Sequence, residues 1–317
     1  MSKKKTLHGW SKIATMRKIL NSVPDSERDK LLLCKDAGRR NVLHDVLKNR
    51  NLTVDKAVSL MEFIISQVSP LKRYRLMSSR DFSGATPLHY CTSFKTVRVI
   101  KRWLSQEKFE ELLLIQEAAG YTPVTNVRSV EAVKEMISDI SDQTKIHVMR
   151  ANTIYEQNII HIIALGGRNS KLKMLDEEGH LNAIDMKDLM RPDVCGNTPL
   201  DYMVIGQHTK MLAYVMRRIN NPVTVQQLLE LKNDCGVTCS SLACYEPRYL
   251  APQRRTVYRV KMVTSLGAIF DARMLRLQSI SSETGKILAF FGQVYPVTST
   301  LIPIKFPLEQ ARIQSSF

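Results

Sequence analysis

The sequence predicts a mainly α fold: a helical-repeat solenoid of about five to six irregular repeats, followed by a small β-containing C-terminal extension. Three observations carry this. The phrase Asp81-Phe82-Ser83-Gly84-Ala85-Thr86-Pro87-Leu88-His89 returns as Asp193-Val194-Cys195-Gly196-Asn197-Thr198-Pro199-Leu200-Asp201, and in worn form as Glu117-Ala118-Ala119-Gly120-Tyr121-Thr122-Pro123-Val124-Thr125. Fainter copies are Asp36…Asn41-Val42-Leu43-His44, Asn158-Ile159-Ile160-His161 and a remnant at Cys235-Gly236-Val237-Thr238-Cys239. The candidate caps at 41, 86, 122, 158, 198 and 238 are separated by 45, 36, 36, 40 and 40 residues, and every one is Thr or Asn. Apolar residues at helical spacing follow the caps.

Each residue of the phrase has a local task. Thr86 can accept from a first-turn backbone N–H, and Pro87 suits the next position, where no helical N–H bond is lost. Gly84 supplies the tight turn before the cap. Leu88 opens the buried face of a short helix. Thr122-Pro123 and Gly196 with Thr198-Pro199-Leu200 repeat the arrangement.

This phrase resembles the ankyrin repeat, whose signature is a Thr-Pro-Leu-His run at a period of ~33 residues. The resemblance spans roughly residues 30 to 245, and Asp81, Gly84 and Thr86-Pro87-Leu88-His89 match it specifically. The steps exceed the family period, so loops or helices are expected to be extended. Asp201 and Thr125 replace the expected His, and the sixth copy keeps little beyond its Gly and Thr. The resemblance implies that His44, His89 and His161 bridge backbone groups of neighbouring turns, and that Cys91 fills a small buried position. It also implies a concave binding surface made of finger-like turns and exposed helix faces.

Taken in order, residues 1–35 are expected to form a helical N-terminal cap, with Trp10, Ile13, Met16 and Leu20 at helical spacing and a break at Pro24. Residues 36–245 form the repeat array. Its first repeat continues through Val58, Met61, Ile64, Ile65 and Val68, and Lys72-Arg73-Tyr74-Arg75 then reads as a solvated loop. Val97, Ile100 and Leu104 mark the next second helix, with Trp103 expected in the core and a groove anchor as the alternative. An extra helix is expected from Phe109 to Ile115, and a further one through Val130, Val133, Met136 and Ile137. Residues 166–190 give no clear pattern, and Met211, Leu212, Val215 and Ile219 mark the fifth repeat. Residues 246–317 read as a basic β-containing module, with alternation from Thr256 to Val263 and a hairpin-like pair about Gly285.

The formal net charge is +16 over 317 residues. Residues 1–35 hold nine Lys/Arg against three Asp/Glu and residues 246–317 ten against four, so the excess lies in the flanks. Six cysteines without disulfide-scaffold spacing point to reduced thiols. Met1-Ser2-Lys3-Lys4-Lys5 lacks the apolar core of a signal peptide, and the uncharged run Ile287–Ile304 is broken by Gly292, Pro296 and Pro303. The expected location is the cytoplasm, with the nucleus as the alternative.

No catalytic constellation is specified, so no enzyme activity and no cofactor are expected. Cys235, Cys239 and Cys244 offer three thiolates but no CxxC knuckle or fourth ligand, so no metal is expected. Ser282-Glu283-Thr284-Gly285-Lys286 lacks the first Gly and the Ser/Thr of a phosphate loop. What remains is a binding surface for another protein, a scaffold or regulatory adaptor working as a monomer. Its candidate contacts are Arg80, Tyr90, Arg191 and Tyr202, because Tyr and Arg anchor interfaces well, together with the finger residue Phe82. The rival reading makes the array a platform and gives nucleic-acid or anionic-membrane binding to the basic C-terminal module, about Arg248, Arg254, Arg255, Arg259 and Lys261.

Overall fold

The structure, a computed structural model, describes residues 13–183, 191–219 and 227–239. The expected β-containing module, the 287–304 run, Cys244 and the basic C-terminal cluster lie outside the described residues. The described residues fall into two compact bodies. The first holds the residues up to Ile159 together with Lys173–Ala183, and the second holds Ile160–Leu172 together with the described residues beyond 185.

The first body is helical from its start. Helices α1 (Ile13–Asn21) and α2 (Asp25–Leu32) are separated at Pro24. A finger-like turn leads into α3 (Val42–Lys48), α4 (Val54–Ser66) and α5 (Pro70–Met77). The second finger leads into a 3-10 turn, Pro87–Tyr90, then α6 (Phe94–Arg102) and α7 (Gln106–Leu113). The third leads into α8 (Pro123–Asn126), α9 (Val130–Ile137) and α10 (Asp142–Arg150). Each of these repeats therefore carries a third helix beyond the pair a finger introduces. The 36-residue steps accommodate it because the first helix there is reduced to a single turn.

Local chemistry explains the long elements. In α4, Thr53 accepts from the Lys56 N–H, and Ala57, Leu60, Met61, Ile64 and Ile65 form one buried stripe at i, i+3, i+4, i+7, i+8. Ser93 and Ser129 cap α6 and α9 in the same way. Helix α6 packs between α4 and α9. Burying each Leu or Ile of this stripe contributes about 1.5–3 kcal/mol. The surface pairs Asp55–Lys95 (2.7 Å) and Glu62–Arg102 (2.7 Å) join α4 to α6, and Arg98–Glu135 (2.9 Å) joins α6 to α9, each worth roughly 0–1 kcal/mol.

The third helices correct one expectation. Lys72-Arg73-Tyr74-Arg75 is not a loop but the body of α5, started by Pro70 at its first position and anchored by buried Leu76 and Met77. Asp29 of α2 accepts from the Ser69 N–H (3.0 Å) and hydroxyl (2.7 Å) just ahead of it. Glu110 of α7 repeats this at Ser141, ahead of α10, and those hydroxyls with Thr144 hold its carboxyl down to about 2. Trp103 is half-buried rather than core or free anchor: its indole N–H donates to Glu62 (2.7 Å), and the Arg73 guanidinium lies 4.4 Å from its ring.

The second body contains most of α11 (Ile159–Leu165) and the start of α12 (Asn169–Glu177), which fills part of the stretch without clear pattern. It continues with α13 (Pro199–Ile205) and α14 (Thr209–Arg218), packed on one another. A last turn follows, closed by one antiparallel bridge between Lys232 and Thr238. No described helix is long and apolar enough to cross a membrane.

Candidate protein-interaction surface

The candidate contacts belong to the fingers, and in each of the two bodies the fingers use one design. The first finger residue, five before the cap, pairs its N–H with the carbonyl one residue before the cap: Asp36 with Arg40 (2.9 Å), Asp81 with Ala85 (2.9 Å), Glu117 with Tyr121 (3.0 Å), Thr153 with Gln157 (2.9 Å), Asp193 with Asn197 (2.9 Å) and Asn233 with Val237 (3.0 Å). Its side-chain oxygen accepts from amides inside the turn. Asp81 Oδ1 takes the N–H groups of Ser83 (2.9 Å) and Ala85 (3.1 Å), and Asp193 Oδ1 takes those of Cys195 (2.9 Å) and Asn197 (3.1 Å). Glu117, Thr153 and Asn233 do the same. Such side-chain mimicry of a turn is why short polar residues start these loops. Thr153 and Asn233 escape a sequence reading tuned to acids. Any acceptor suffices, and the sixth finger keeps more than its Gly and Thr.

Behind each finger sits its cap. Thr198 and Thr122 accept from the amides of Asp201 and Thr125 and so begin α13 and α8, and both are followed by Pro. His44 Nδ1 accepts from the Asn41 N–H (3.2 Å) and its Nε2–H donates to the Ala85 carbonyl (3.0 Å). His89 does the same with Thr86 (3.0 Å) and Tyr121 (3.1 Å), and His161 reaches Asn197 (3.2 Å). Each imidazole is thus a neutral latch from one cap to the next finger. Burial pushes His89 and His161 down to about 4.

In the first body the fingers are stitched into a row. The amide of Phe82 donates to Gly38 (2.8 Å), that of Ala118 to Ser83 (2.8 Å) and that of Ile154 to Ala119 (3.0 Å). The residue ahead of each finger adds a side-chain rung. Lys35 donates to the Arg80 carbonyl (2.8 Å), Arg80 to the Gln116 carbonyl, and Gln116 to the Asn152 carbonyl (2.8 Å).

The five candidate contacts have separate fates. Phe82 stands at a finger tip, 82 % exposed, and Arg191 is exposed ahead of the fifth finger. Arg80 is exposed but its guanidinium is engaged with the carbonyls of Gly84 (2.9 Å) and Gln116. Tyr90 is half-buried, its hydroxyl donating to Asp81 (2.7 Å) and its ring lying 4.3 Å from the Lys48 ammonium. Tyr202 is 3 % exposed and donates to Asp193 (2.5 Å). Buried, with the His161 ring edge-on 6.2 Å away, it braces its finger and offers no surface. Ile154, 63 % exposed at the fourth tip, was not among the five. Its place directly after Thr153, as Phe82 follows Asp81, is the only sequence signal for it. Among the described residues no group of His, Cys, Asp or Glu is placed to hold a metal.

No family model matches the chain, and no curated protein matches it. Among solved structures it is similar to the ankyrin repeat domain of Bcl-3, described as a unique member of the IkappaB protein family. That likeness has 14% sequence identity over 71% of this chain and 86% of that one, with a TM-score of 0.44. The fingers, caps and histidine latches of the described residues have the arrangement that the resemblance to the ankyrin repeat implies.

Proposed function

We propose that the chain is a non-enzymatic protein-interaction module, a scaffold or regulatory adaptor that holds another protein against its finger tips. The observation that carries this reading is Phe82. It is an aromatic side chain 82 % exposed on a turn whose backbone is pinned by Asp81, by Gly38 and by the next finger. A large apolar group held rigidly in water has little conformational freedom left to lose on binding. Ile154 offers the same at the fourth tip, and Arg191 and the uncovered edge of Tyr90 are further contacts. Cys34, Cys91, Cys235 and Cys239 are free thiols, which fits a chain working in the reducing cytoplasm or nucleus, and the chain is read as a monomer.

The test is chemical cross-linking and capture with the purified full chain, beside a Phe82→Asp/Ile154→Asp double variant. Both substitutions lie at exposed tips, so the thermal midpoint should stay within a few degrees. The expected outcome is loss of the captured proteins. Identical capture by a folded double variant overturns the finger-tip reading.

A further inference from the structure

The fourth residue of every finger adopts a left-handed backbone. Four of these are glycines, with φ of 80° at Gly84, 87° at Gly120, 73° at Gly196 and 72° at Gly236. The packing shows why three of them are required. A Cβ on Gly84 would lie 3.1 Å from the Ala118 nitrogen, one on Gly120 2.7 Å from the Thr153 Cα, and one on Gly196 2.6 Å from the Asp234 nitrogen. The first finger instead places Arg39 there at φ 58°, and the fourth Glu156 at φ 59°. A long side chain in this region strains the backbone, and such strain gathers at sites of function.

Arg39 is exposed and its side chain makes no hydrogen bond or ion pair among the described residues. The neighbouring residue, Gly38, accepts from the amide of Phe82 (2.8 Å), so the strained arginine and the exposed aromatic stand on adjoining fingers. Arg75 on α5 is likewise exposed and without such a partner, one helical turn after Leu71, which is 96% exposed. Arg39 and Arg75 both press on Lys35, whose ammonium, already disfavoured by burial, is pushed further down by their charges. The nearby carboxylates are engaged elsewhere. Asp36 is bound by Arg40 (2.6 Å), which also lies 3.7 Å from Asp45, and Asp81 holds Ser83, Ala85 and Tyr90. The surplus about Lys35 is therefore positive, and its Arg39 stands on the finger joined to that of the exposed Phe82.

We propose that the first two fingers dock an acidic segment of a partner protein that carries a bulky apolar side chain, with Phe82 taking the apolar group and Arg39 and Arg75 the carboxylates. This rests on the finger-tip reading and names the chemistry of its partner. Exposed guanidiniums offer carboxylates forked donors, and an aromatic anchor supplies the contact that charge alone lacks.

Fluorescence anisotropy with the full chain tests this, using as probe a labelled peptide of alternating Glu and Leu. Comparison probes are an all-Glu peptide, an alternating Lys and Leu peptide, and a single-stranded oligothymidylate of similar charge. The Glu/Leu peptide should bind at least tenfold more tightly than the others. It should lose at least tenfold in Arg39→Glu/Arg75→Glu and in Phe82→Asp, about threefold or more in Arg39→Gly, and less than threefold in Glu156→Gln. Arg39→Gly places at this position the residue that four other fingers carry, so its loss would not reflect unfolding. Equal binding of all-Glu peptide or oligothymidylate would mean a surface that senses only charge, and overturns the proposal. So does Glu/Leu binding untouched by the variants, which would place it on the basic flanks, and so does no binding at all. If capture in the cross-linking experiment still depends on Phe82 while this peptide fails, the interaction reading stands and the acidic chemistry falls.

Discussion

The second and fifth repeats start with nearly the same phrase and diverge within one turn. Asp81 and Asp193 each organise a finger, Tyr90 and Tyr202 each donate back to that Asp, and Thr86 and Thr198 each cap a helix behind a following Pro. Three residues after the cap, His89 spans two backbone partners, Thr86 and Tyr121, with its two ring nitrogens. Asp201 accepts from the Thr198 N–H (2.7 Å) and hydroxyl (2.9 Å) through Oδ2, while its Oδ1 is buried with no partner among the described residues. Burial pushes that carboxyl up to about 6. One position thus closes the cap with two chemistries. The imidazole also ties the repeat to the next finger, whereas the carboxylate closes only its own cap.

Acid should break this comparison most strongly, because the two solutions respond with opposite sign. His89 and His161 fall to about 4 in the fold from the ordinary imidazole value of about 6.5, so the unfolded chain binds more protons in between. Their contribution is intact above about 6.5 and is lost as pH falls towards 4, on the order of 3 kcal/mol apiece. Asp201 is raised from 3.8 to about 6. Its contribution is present at low pH and is lost as pH rises through about 6, where a buried carboxylate forms. Urea unfolding midpoints should therefore drop steeply from pH 7 to pH 4.5. Asp201→Asn should be more stable than the parent by about 1–2 kcal/mol at pH 8, with the gain vanishing near pH 4. An unchanged difference across that range would show that Asp201 stays ionised in the fold.

The finger acid is the next place to sharpen it. Asp81→Ala removes the acceptor for two turn amides, the Ser83 hydroxyl and the Tyr90 hydroxyl. Leaving such groups unpaired costs about 2–4 kcal/mol. Asp193→Ala removes the equivalent bonds to Cys195, Asn197 and the buried Tyr202 hydroxyl and should cost as much. Tyr202→Phe should cost less than either, since the turn amides keep their acceptor. Denaturant curves that rank Tyr202→Phe first would move the organising role from the Asp to the Tyr.

Much of this was legible in the residues because it rests on local chemistry. Caps at 41, 86, 122 and 198 stand where the phrase places them, since a hydroxyl or amide oxygen three residues before a free N–H needs no distant help. The third helices were harder. Lys72-Arg73-Tyr74-Arg75 has few apolar residues, and α5 is fixed by Asp29 some forty residues earlier and by Trp103 some thirty later. The fate of the tyrosines was not legible either. A residue following the cap phrase can face solvent or its own finger, and only the third dimension shows Tyr90 and Tyr202 turned back to Asp81 and Asp193. Phe82 is exposed because it stands at a finger tip, a place the phrase itself marks. The left-handed backbone of Arg39 was not legible, because it leaves no trace in composition or period.

Arg39 also gives the smallest effect and the sharpest contrast between a finger shaped for stability and one that is not. Gly84, Gly120 and Gly196 occupy their left-handed positions without strain, and a side chain there meets the next finger. Alanine at Gly120 or Gly196 should therefore destabilise, since the added Cβ falls within 2.7 Å of backbone. Arg39→Gly runs the other way. Relief of the backbone strain at φ 58° is partly offset by the greater freedom glycine gives the unfolded chain, leaving a net gain of about 0.5–1 kcal/mol. Differential scanning calorimetry should show the midpoint rising by a few degrees. A midpoint that falls would mean that the Arg39 side chain supports the fold, and its strained placement would need no partner to explain it.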